Sequence, residues 1–197
     1  MIDRIQADLL ASAAIVREMA DTLAATTAQA AELLVACLRG GHTVYVCGNG
    51  GSASQAQHIA GEFVGRFLFD RGPLPCVALT ADTSVLTAVS NDYDFAAVFE
   101  RQVNALVRKG DVLWALSTSG NSPNVLRAVQ AAKGRGARVI GMAGRTGGQL
   151  RDLCDVTLCV PADTSPGIQE GHLALLHILC ALVEQAMFPG GASPRKG

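Results

Sequence analysis

The stretch TVYVCGNGGSASQAQHIAGEFVGRF, residues 43–67, contains the change of pattern that decides the fold. It opens with a short apolar and β-branched run, is interrupted by glycines, and continues with residues that favour helix. This order predicts a strand over 43–47, a tight loop, and a helix over 53–67. Glycines allow a ligand to approach the backbone closely, and the N-terminus of a helix attracts anions, so the loop is also a candidate binding element.

The same alternation of strand and helix continues along the chain. Apolar runs that lack polar alternation and are separated by helices indicate a parallel sheet covered on both faces. We therefore predict an α/β fold with a parallel sheet of about five strands. Further strands are predicted near 74–79, 112–116, 138–143 and 156–160, and further helices across 84–109, 123–133 and 168–188.

The two ends of the chain have their own patterns. Apolar residues recur at near-helical spacing from Ile2 to Leu23, and a second helical stretch from about Ala28 ends at Gly40 and Gly41. We predict an N-terminal helical hairpin over 1–41 that is used in oligomerisation. No change of composition divides residues 1–188, which predicts one domain, and the tail 189–197 is expected to be disordered.

Composition restricts the function classes. Hydrophobic residues make up 49% of the 197 residues and charged residues 17%, which indicates that other copies of the chain cover part of the surface. The net charge of -1 disfavours nucleic acid as the main ligand.

Six cysteines without CxxC spacing are expected to be reduced core residues. With no secretory signal, and an apolar segment at 173–183 that is too short to span a bilayer, we expect a cytoplasmic protein without membrane contact.

The glycine loop, Gly48-Asn49-Gly50-Gly51-Ser52, allows two interpretations. It is either a ligand-binding loop or a tight connection in which Ser52 caps the following helix. It also resembles a dinucleotide fingerprint, but Asp82 lies too far along the chain to be the acidic residue that such a site requires. A nicotinamide enzyme is therefore a weak competitor.

The serine loop, STSGNSP at 117–123, follows another predicted strand and offers the hydroxyls of Ser117, Thr118, Ser119 and Ser122. Ser122 is placed as N-cap and Pro123 as the first helical residue. Hydroxyls and free amides at a helix N-terminus can hold a phosphate without lysine or arginine. The alternative is an ordinary polar loop.

Three further sets of residues carry weaker signals. His58 and Glu62 lie four residues apart on one helical face, about 6 Å apart along the axis, and can share a ligand or form an ordinary surface pair. Gln169, His172 and His177 lie on the last helix, where His177 falls in the apolar run LALLHILCALV and is either a satisfied core residue or a site residue. Asn91-Asp92 by itself resembles a turn that ends a helix.

Four segments in order closely resemble the phosphoheptose isomerase family of the sugar isomerase (SIS) domain superfamily. They are CGNGGSASQAQHIAGEF, TAVSNDYDF, STSGNSPNVL and IQEGHLALLHILCALVEQAMF. The resemblance covers nearly the whole chain and implies isomerisation of sedoheptulose 7-phosphate to D-glycero-D-manno-heptose 7-phosphate, at the head of nucleotide-activated heptose synthesis. It also implies a homotetramer.

The resemblance further implies roles for individual residues. Glu62 and His177 match the acid/base pair of the family, and zinc ligands match at His58, Glu62, Gln169 and His177. The phosphate would be held by Ser117, Thr118, Ser119 and Ser122. The sugar would be contacted by Asn49, Gly50, Gly51, Ser52, Glu62, Asn91, Asp92 and Gln169. Pro166 and Gly167 depart from the family pattern, because they leave the loop that leads into Gln169 without a charged residue close to it.

Two other functions compete with the enzyme. One is a non-catalytic SIS-domain protein that binds the bacterial replication initiator; that family, by resemblance, lacks the glutamate and the second histidine that stand here as Glu62 and His177. The other is a sugar-phosphate sensor, which would need a separate partner because no DNA-binding domain is recognised in this sequence. The presence of both Glu62 and His177 favours the isomerase.

Overall fold

Five parallel strands form the centre of the computed structural model, which describes residues 1–191. They are β1 (Val44–Gly48), β2 (Cys76–Ala78), β3 (Val112–Leu116), β4 (Arg138–Ala143) and β5 (Val156–Cys159), paired in the order β2-β1-β3-β4-β5. Every neighbouring pair is parallel, and Val44 of β1 is in register with Cys76 of β2 and Val112 of β3. The predicted α/β class is confirmed, and β3 and β4 have the predicted bounds.

Helices cover both faces of the sheet. They are α1 (Ile2–Arg39), α2 (Gly51–Val64), α3 (Thr83–Asp92), α4 (Val98–Leu106), α5 (Pro123–Gly134), α6 (Leu150–Leu153) and α7 (Ser165–Met187). One apolar core joins α1, α2 and α7 to one face of the sheet, and a second joins α4 and α5 to the other face. The short helix α6 was not expected from the sequence. Because all five strands are parallel, the loops after β1 and β3 leave the sheet at the same edge.

The predicted N-terminal hairpin is wrong, because residues 2–39 form one continuous helix of 38 residues. No glycine or proline interrupts this stretch. The Thr27 hydroxyl donates to the Leu23 carbonyl at 2.8 Å, so it is satisfied inside the helix and does not favour a turn. The second half of α1 is buried against the sheet and α7, while Ile2, Ile5 and Leu9 in the first half remain exposed.

Helix α7 is part of the interior of the domain. By length and composition it is the one helix within residues 1–191 that meets the criteria for a membrane span, but half of its most apolar window is buried in the domain. Its buried residues include Leu176, Leu179 and Val183, which belong to the same core as α1. We therefore assign it as a core helix. The tail predicted to be disordered begins with a turn at 189–191, and residues 192–197 lie outside the described part of the chain.

Candidate active site

The glycine loop turns directly from β1 into α2. Gly50 adopts a positive φ of 54°, which an L side chain rarely accepts, and α2 begins at Gly51. Gly50 therefore stands at the N-cap position that one interpretation of the sequence gave to Ser52. Ser52 is buried, and its side chain lies beside Gly48 at the end of β1.

The Asn49 side chain connects the glycine loop to the serine loop. Asn49 and Asn124 exchange two hydrogen bonds of 2.8 Å, Nδ2 of each donating to Oδ1 of the other. Asn124 is buried in the first turn of α5, and its Oδ1 also accepts from the Val125 amide at 3.0 Å. Sequence reasoning did not identify Asn124. This pair fixes the position of one loop relative to the other.

The serine loop gathers its hydroxyls at the start of α5. Ser117 is buried, and its Oγ lies 2.9 Å from Ser122 Oγ and 3.5 Å from Ser119 Oγ. As predicted, Ser122 is the N-cap residue and Pro123 the first residue of α5, but the Ser122 side chain makes no capping hydrogen bond. Thr118 is half-buried. Three of the four predicted hydroxyls thus converge beside a helix N-terminus.

A second loop, after β4, packs on the serine loop. Gly120 has a φ of 66°, and a Cβ added there would lie only 1.9 Å from the Gly147 carbonyl oxygen. The Leu150 amide donates to the Gly120 carbonyl at 3.1 Å, and the Gln149 amide donates to Asn121 Oδ1 at 3.1 Å. The close backbone approach leaves no room for a side chain at position 120.

His58, Glu62 and His177 form a cluster between α2 and α7. Nε2 of His58 lies 3.2 Å from Glu62 Oε1 and 3.2 Å from His177 Nε2. One ligand atom from each of the three residues lies within 4.8 Å of the others. His58 is exposed, while Glu62 and His177 are half-buried, so solvent and a small ligand can reach them.

The donor set of this cluster fits a divalent metal ion. Two imidazole nitrogens and a carboxylate oxygen are common zinc ligands, and ligands at 2.0–2.1 Å from a tetrahedral zinc lie about 3.3 Å from one another. The two separations of 3.2 Å are close to that value.

Gln169 lies beside the glycine loop. A Cβ added at Gly51 would lie within 2.8 Å of the Gln169 side-chain carboxamide. The backbone carbonyl of Gln169 accepts a hydrogen bond from Gln55 Nε2 at 2.7 Å. Eight residues separate Gln169 from His177, about 12 Å along the helix axis. The structure thus places Gln169 at the glycine loop, where its carboxamide covers the first residue of α2.

Asn91 and Asp92 are the last two residues of α3, where the sequence indicated a turn. Both are exposed, and Asn91 Nδ2 donates to Asp92 Oδ1 at 2.9 Å. Within residues 1–191, no hydrogen bond joins either side chain to the glycine loop, the serine loop or the histidine cluster.

His172 is a core residue. It is fully buried, its Nε2 lies 3.3 Å from the Ala143 carbonyl oxygen, and its Nδ1 has no hydrogen-bond partner among the residues that the structure describes. Burial lowers the pKa of His172 to about 4, which keeps the ring neutral at physiological pH.

All six cysteines are free, as expected; four of them are buried, whereas Cys154 and Cys159 are half-buried and do not fit the expected core position. Burial raises the pKa of Cys37, Cys154 and Cys180 to about 12. The raised pKa keeps these thiols protonated, which removes them as nucleophiles.

Sequence reasoning also missed a buried ion pair beside the cluster. Glu184 and Arg71 are almost completely buried and lie 2.9 Å apart. The sequence does indicate that Glu184 needs a buried partner, because it is a carboxylate at the end of the apolar run of α7. The position of that partner, in the loop after α2, could not be read from any spacing.

Comparison with known proteins adds independent support for the family. The SIS domain family model matches residues 9–144. The chain is 52% identical over 189 residues to the phosphoheptose isomerase of Geobacter sulfurreducens, covering 96% of this chain and all of that protein.

Two solved structures share the fold. The phosphoheptose isomerase of Neisseria gonorrhoeae superposes with a TM-score of 0.87 at 45% identity, covering 92% of this chain and 98% of that one. The phosphoheptose isomerase of Francisella tularensis superposes with a TM-score of 0.90 at 40% identity, covering 93% and 98%. By sequence and by fold, the chain belongs to the phosphoheptose isomerase family of SIS-domain proteins.

Proposed function

We propose that this protein converts sedoheptulose 7-phosphate to D-glycero-D-manno-heptose 7-phosphate through an enediol, at the head of nucleotide-activated heptose synthesis. The observation that carries the proposal is the convergence of Glu62 and His177, from two different helices, on one accessible point beside His58. An isomerase of this kind needs a base for a carbon-bound proton and a group that moves protons between oxygens. The cluster supplies both.

The serine loop supports binding of the phosphate end of the substrate. Ser117, Ser119 and Ser122 direct their hydroxyls toward one another at the N-terminus of α5, where the helix dipole favours an anion. Thr118 is proposed as a fourth contact. The serine loop itself contains no lysine or arginine, so in this proposal its hydrogen bonds and the helix dipole hold the phosphate.

The glycine loop and its neighbours are proposed to contact the sugar. Gly50 and Gly51 present backbone without side chains, and Gln169 lies beside Gly51. Asn49 is held by Asn124, so it acts on the sugar through the loop that it fixes. Ser52 is buried and is proposed to support the glycine loop. Asn91 and Asp92 are proposed to contact the sugar if the bound ligand extends to the end of α3.

Two residues divide the proton transfers in the proposed reaction. The Glu62 carboxylate removes the C1 proton of the ketose, the electron pair forms the C1–C2 double bond of the enediol, and the proton returns to C2. His177 accepts the proton of the C1 hydroxyl and delivers a proton to the C2 oxygen. The C1 oxygen becomes the aldehyde, and the net change moves two hydrogens without an external oxidant.

We further propose zinc at the cluster, held by His58, Glu62 and His177, with Gln169 as the fourth ligand. The ion would supply Lewis-acid polarisation of the carbonyl. The Gln169 carboxamide must then leave Gly51, which lies seven residues, or about 10 Å, before His58 along α2. A carboxylate on a metal is a weaker base, so zinc occupancy and the Glu62 base role compete.

We infer that the protein is a cytoplasmic homotetramer. Val16, Ile178 and Leu182 form an exposed apolar strip on α1 and α7, which a second copy would bury. The six free cysteines fit a reducing compartment.

The test is turnover of sedoheptulose 7-phosphate with a parallel assay of C1 proton exchange into D₂O. We expect the wild type to isomerise the substrate, and Glu62→Gln to lose at least about a hundredfold in both rates because the base is absent. Glu32→Gln, which makes the same change at an exposed position of α1, is the control. Exchange by Glu62→Gln at the wild-type rate would show that the base is a different residue. If the wild type binds the replication initiator in a pull-down and shows no turnover, the initiator-binding function replaces the proposed isomerase function.

A further inference from the structure

A buried carboxylate fixes the backbone of the loop that follows α2. Glu184 Oε1 accepts from the Phe67 amide at 2.9 Å, and Glu184 Oε2 accepts from the Leu68 amide at 2.7 Å. The same carboxylate is paired with the Arg71 guanidinium. Glu184 lies seven residues after His177 on α7, two helical turns further along. The carboxylate therefore ties this loop to the helix that carries His177.

Arg71 extends the same network to α2. Its Nη2 donates to the Glu62 carbonyl at 2.7 Å, and its Nη1 donates to the Phe63 carbonyl at 2.7 Å. These carbonyls belong to the last turn of α2, where they lack partners within the helix and where the helix dipole favours a cation. The Arg71–Glu184 pair thus joins the end of the helix that carries Glu62 to the helix that carries His177.

The anchored loop places an aromatic ring on the candidate proton shuttle. The rings of Phe67 and His177 are stacked, with centroids 5.7 Å apart and an interplanar angle of 18°. The ring of His58 meets His177 at a centroid distance of 5.1 Å and an angle of 59°. The His177 imidazole therefore has a hydrocarbon ring along one face and the cluster at its Nε2.

We propose that Glu184 and Phe67 are positioning residues for His177: the buried carboxylate fixes the Phe67 backbone, and the Phe67 ring holds the imidazole with its Nε2 in the cluster. Neither residue has an atom that must touch the substrate. A buried ion pair adds little stability compared with apolar residues of the same size, which favours a role in specifying geometry. The expected effect on kcat rests on the proposed isomerase function. The expected effect on the position of the His177 ring does not.

The first measurement is steady-state kinetics of Phe67→Leu, which removes the ring and keeps the backbone amide that Glu184 binds. We expect kcat to fall about ten- to a hundredfold, because a misplaced proton-transfer group slows chemistry without weakening substrate binding. KM is expected to stay within about twofold. Phe67→Tyr keeps an aromatic ring and should retain most of kcat. Phe95→Leu, the same change at an exposed phenylalanine, is the control.

The second measurement is the NMR resonance of the His177 Cε1 proton, assigned by its loss in His177→Asn. A stacked ring shields this proton, so Phe67→Leu and Glu184→Gln should both move it downfield at constant pH. Glu170→Gln, an exposed change on the same helix, should leave it in place. Should Glu184→Gln not fold, Phe67→Leu alone decides the result.

The two measurements separate the two hypotheses. If the wild type shows no turnover but the His177 resonance shifts in Phe67→Leu, the proposed isomerase function is wrong and the positioning contact is supported. Normal kcat and an unmoved resonance in Phe67→Leu would overturn the positioning role, whatever the wild type catalyses. A fall in kcat that Phe95→Leu shares would also overturn it, because the loss would then reflect general destabilisation.

Discussion

Asn49 and Asn124 stand 75 positions apart in the chain and exchange two hydrogen bonds, each 2.8 Å long, between the glycine loop and the first turn of α5. Removal of one partner leaves a half-buried or buried amide unsatisfied. We expect Asn49→Ala and Asn124→Ala each to lower the free energy of unfolding by about 1–3 kcal/mol. The double variant should cost less than the sum of the two, because the second removal loses no further bond between the two side chains. Urea unfolding of all four proteins measures this coupling; additive losses would contradict it.

The Ser122 hydroxyl is directed toward Ser117 and makes no capping bond to α5. Ser122→Ala should lower the melting temperature only modestly, since it removes the contact with the buried Ser117 hydroxyl but no capping bond. We expect KM for the sugar phosphate to rise about ten- to a hundredfold, as for loss of one hydrogen bond to a charged group. The control is Ser84→Ala, at an exposed position in the first turn of α3. A lower melting temperature with an unaltered KM would assign Ser122 to the structure of the loop alone.

Zinc should stabilise the wild type after chelation and removal of the chelator. Binding at a hundred times the dissociation constant adds about 2.7 kcal/mol to the free energy of unfolding, which thermal melts detect. His58→Ala and His177→Ala should lose most of this response because each removes a ligand, whereas His42→Ala, outside the cluster, should keep it. Turnover before chelation, after it and after zinc return tests the chemistry. Unchanged turnover in metal-free protein would remove the Lewis-acid role.

Gly120 is the glycine whose replacement we expect to be most damaging. Gly120→Ala forces a Cβ against the Gly147 carbonyl at a positive φ, so we expect the free energy of unfolding to fall by at least about 2 kcal/mol. Gly134→Ala, at the end of α5 with open space around the new Cβ, should be neutral or slightly stabilising. Chemical denaturation of both variants gives the comparison. Equal stabilities would show that the loop after β4 moves freely away from the serine loop.

His172 should make stability depend on pH. Its pKa is about 4 in the folded protein, lowered from 6.5 by burial, so the unfolded chain binds the proton more readily. The neutral His172 ring contributes its full share of the free energy of unfolding above pH 6.5. This contribution, about 3 kcal/mol in all, is lost as the pH falls toward 4. The difference between unfolding free energies at pH 7 and pH 4.5 should be smaller in His172→Gln than in the wild type. Parallel pH profiles in the two proteins would contradict the buried neutral ring.

The sheet was predictable because each strand is an apolar run with a clear break on both sides. The residues Val112–Leu116 are apolar throughout, and their limits followed directly. The hairpin error arose where the pattern is weak: around Ala24–Ala31 the side chains are small, the apolar stripe fades, and no residue marks a turn. Continuity there is decided by packing of Ala30 and Ala31 into the core, which no local pattern records.

The candidate site was predictable where its members are neighbours in sequence. Helical spacing put His58 beside Glu62, and the resemblance to the family added His177 from the other end of the chain. Gln169 shows the limit, because motif matching gives its identity but not that its carboxamide lies over Gly51. Asn124, Phe67 and Glu184 were missed because their partners are distant in sequence and are brought close only by the fold.

The docking of α1 on α7 determines when the protein can fold during synthesis. The half of α1 that ends at Arg39 is translated long before the residues that cover it, which extend to the Ala186 carbonyl bound by Arg39. About 150 residues separate the two, which corresponds to roughly 7–30 s at the usual rate of translation. During that interval Leu34 and Leu38 have no partner helix, so the nascent chain is expected to depend on ribosome-associated chaperones until α7 has left the exit tunnel.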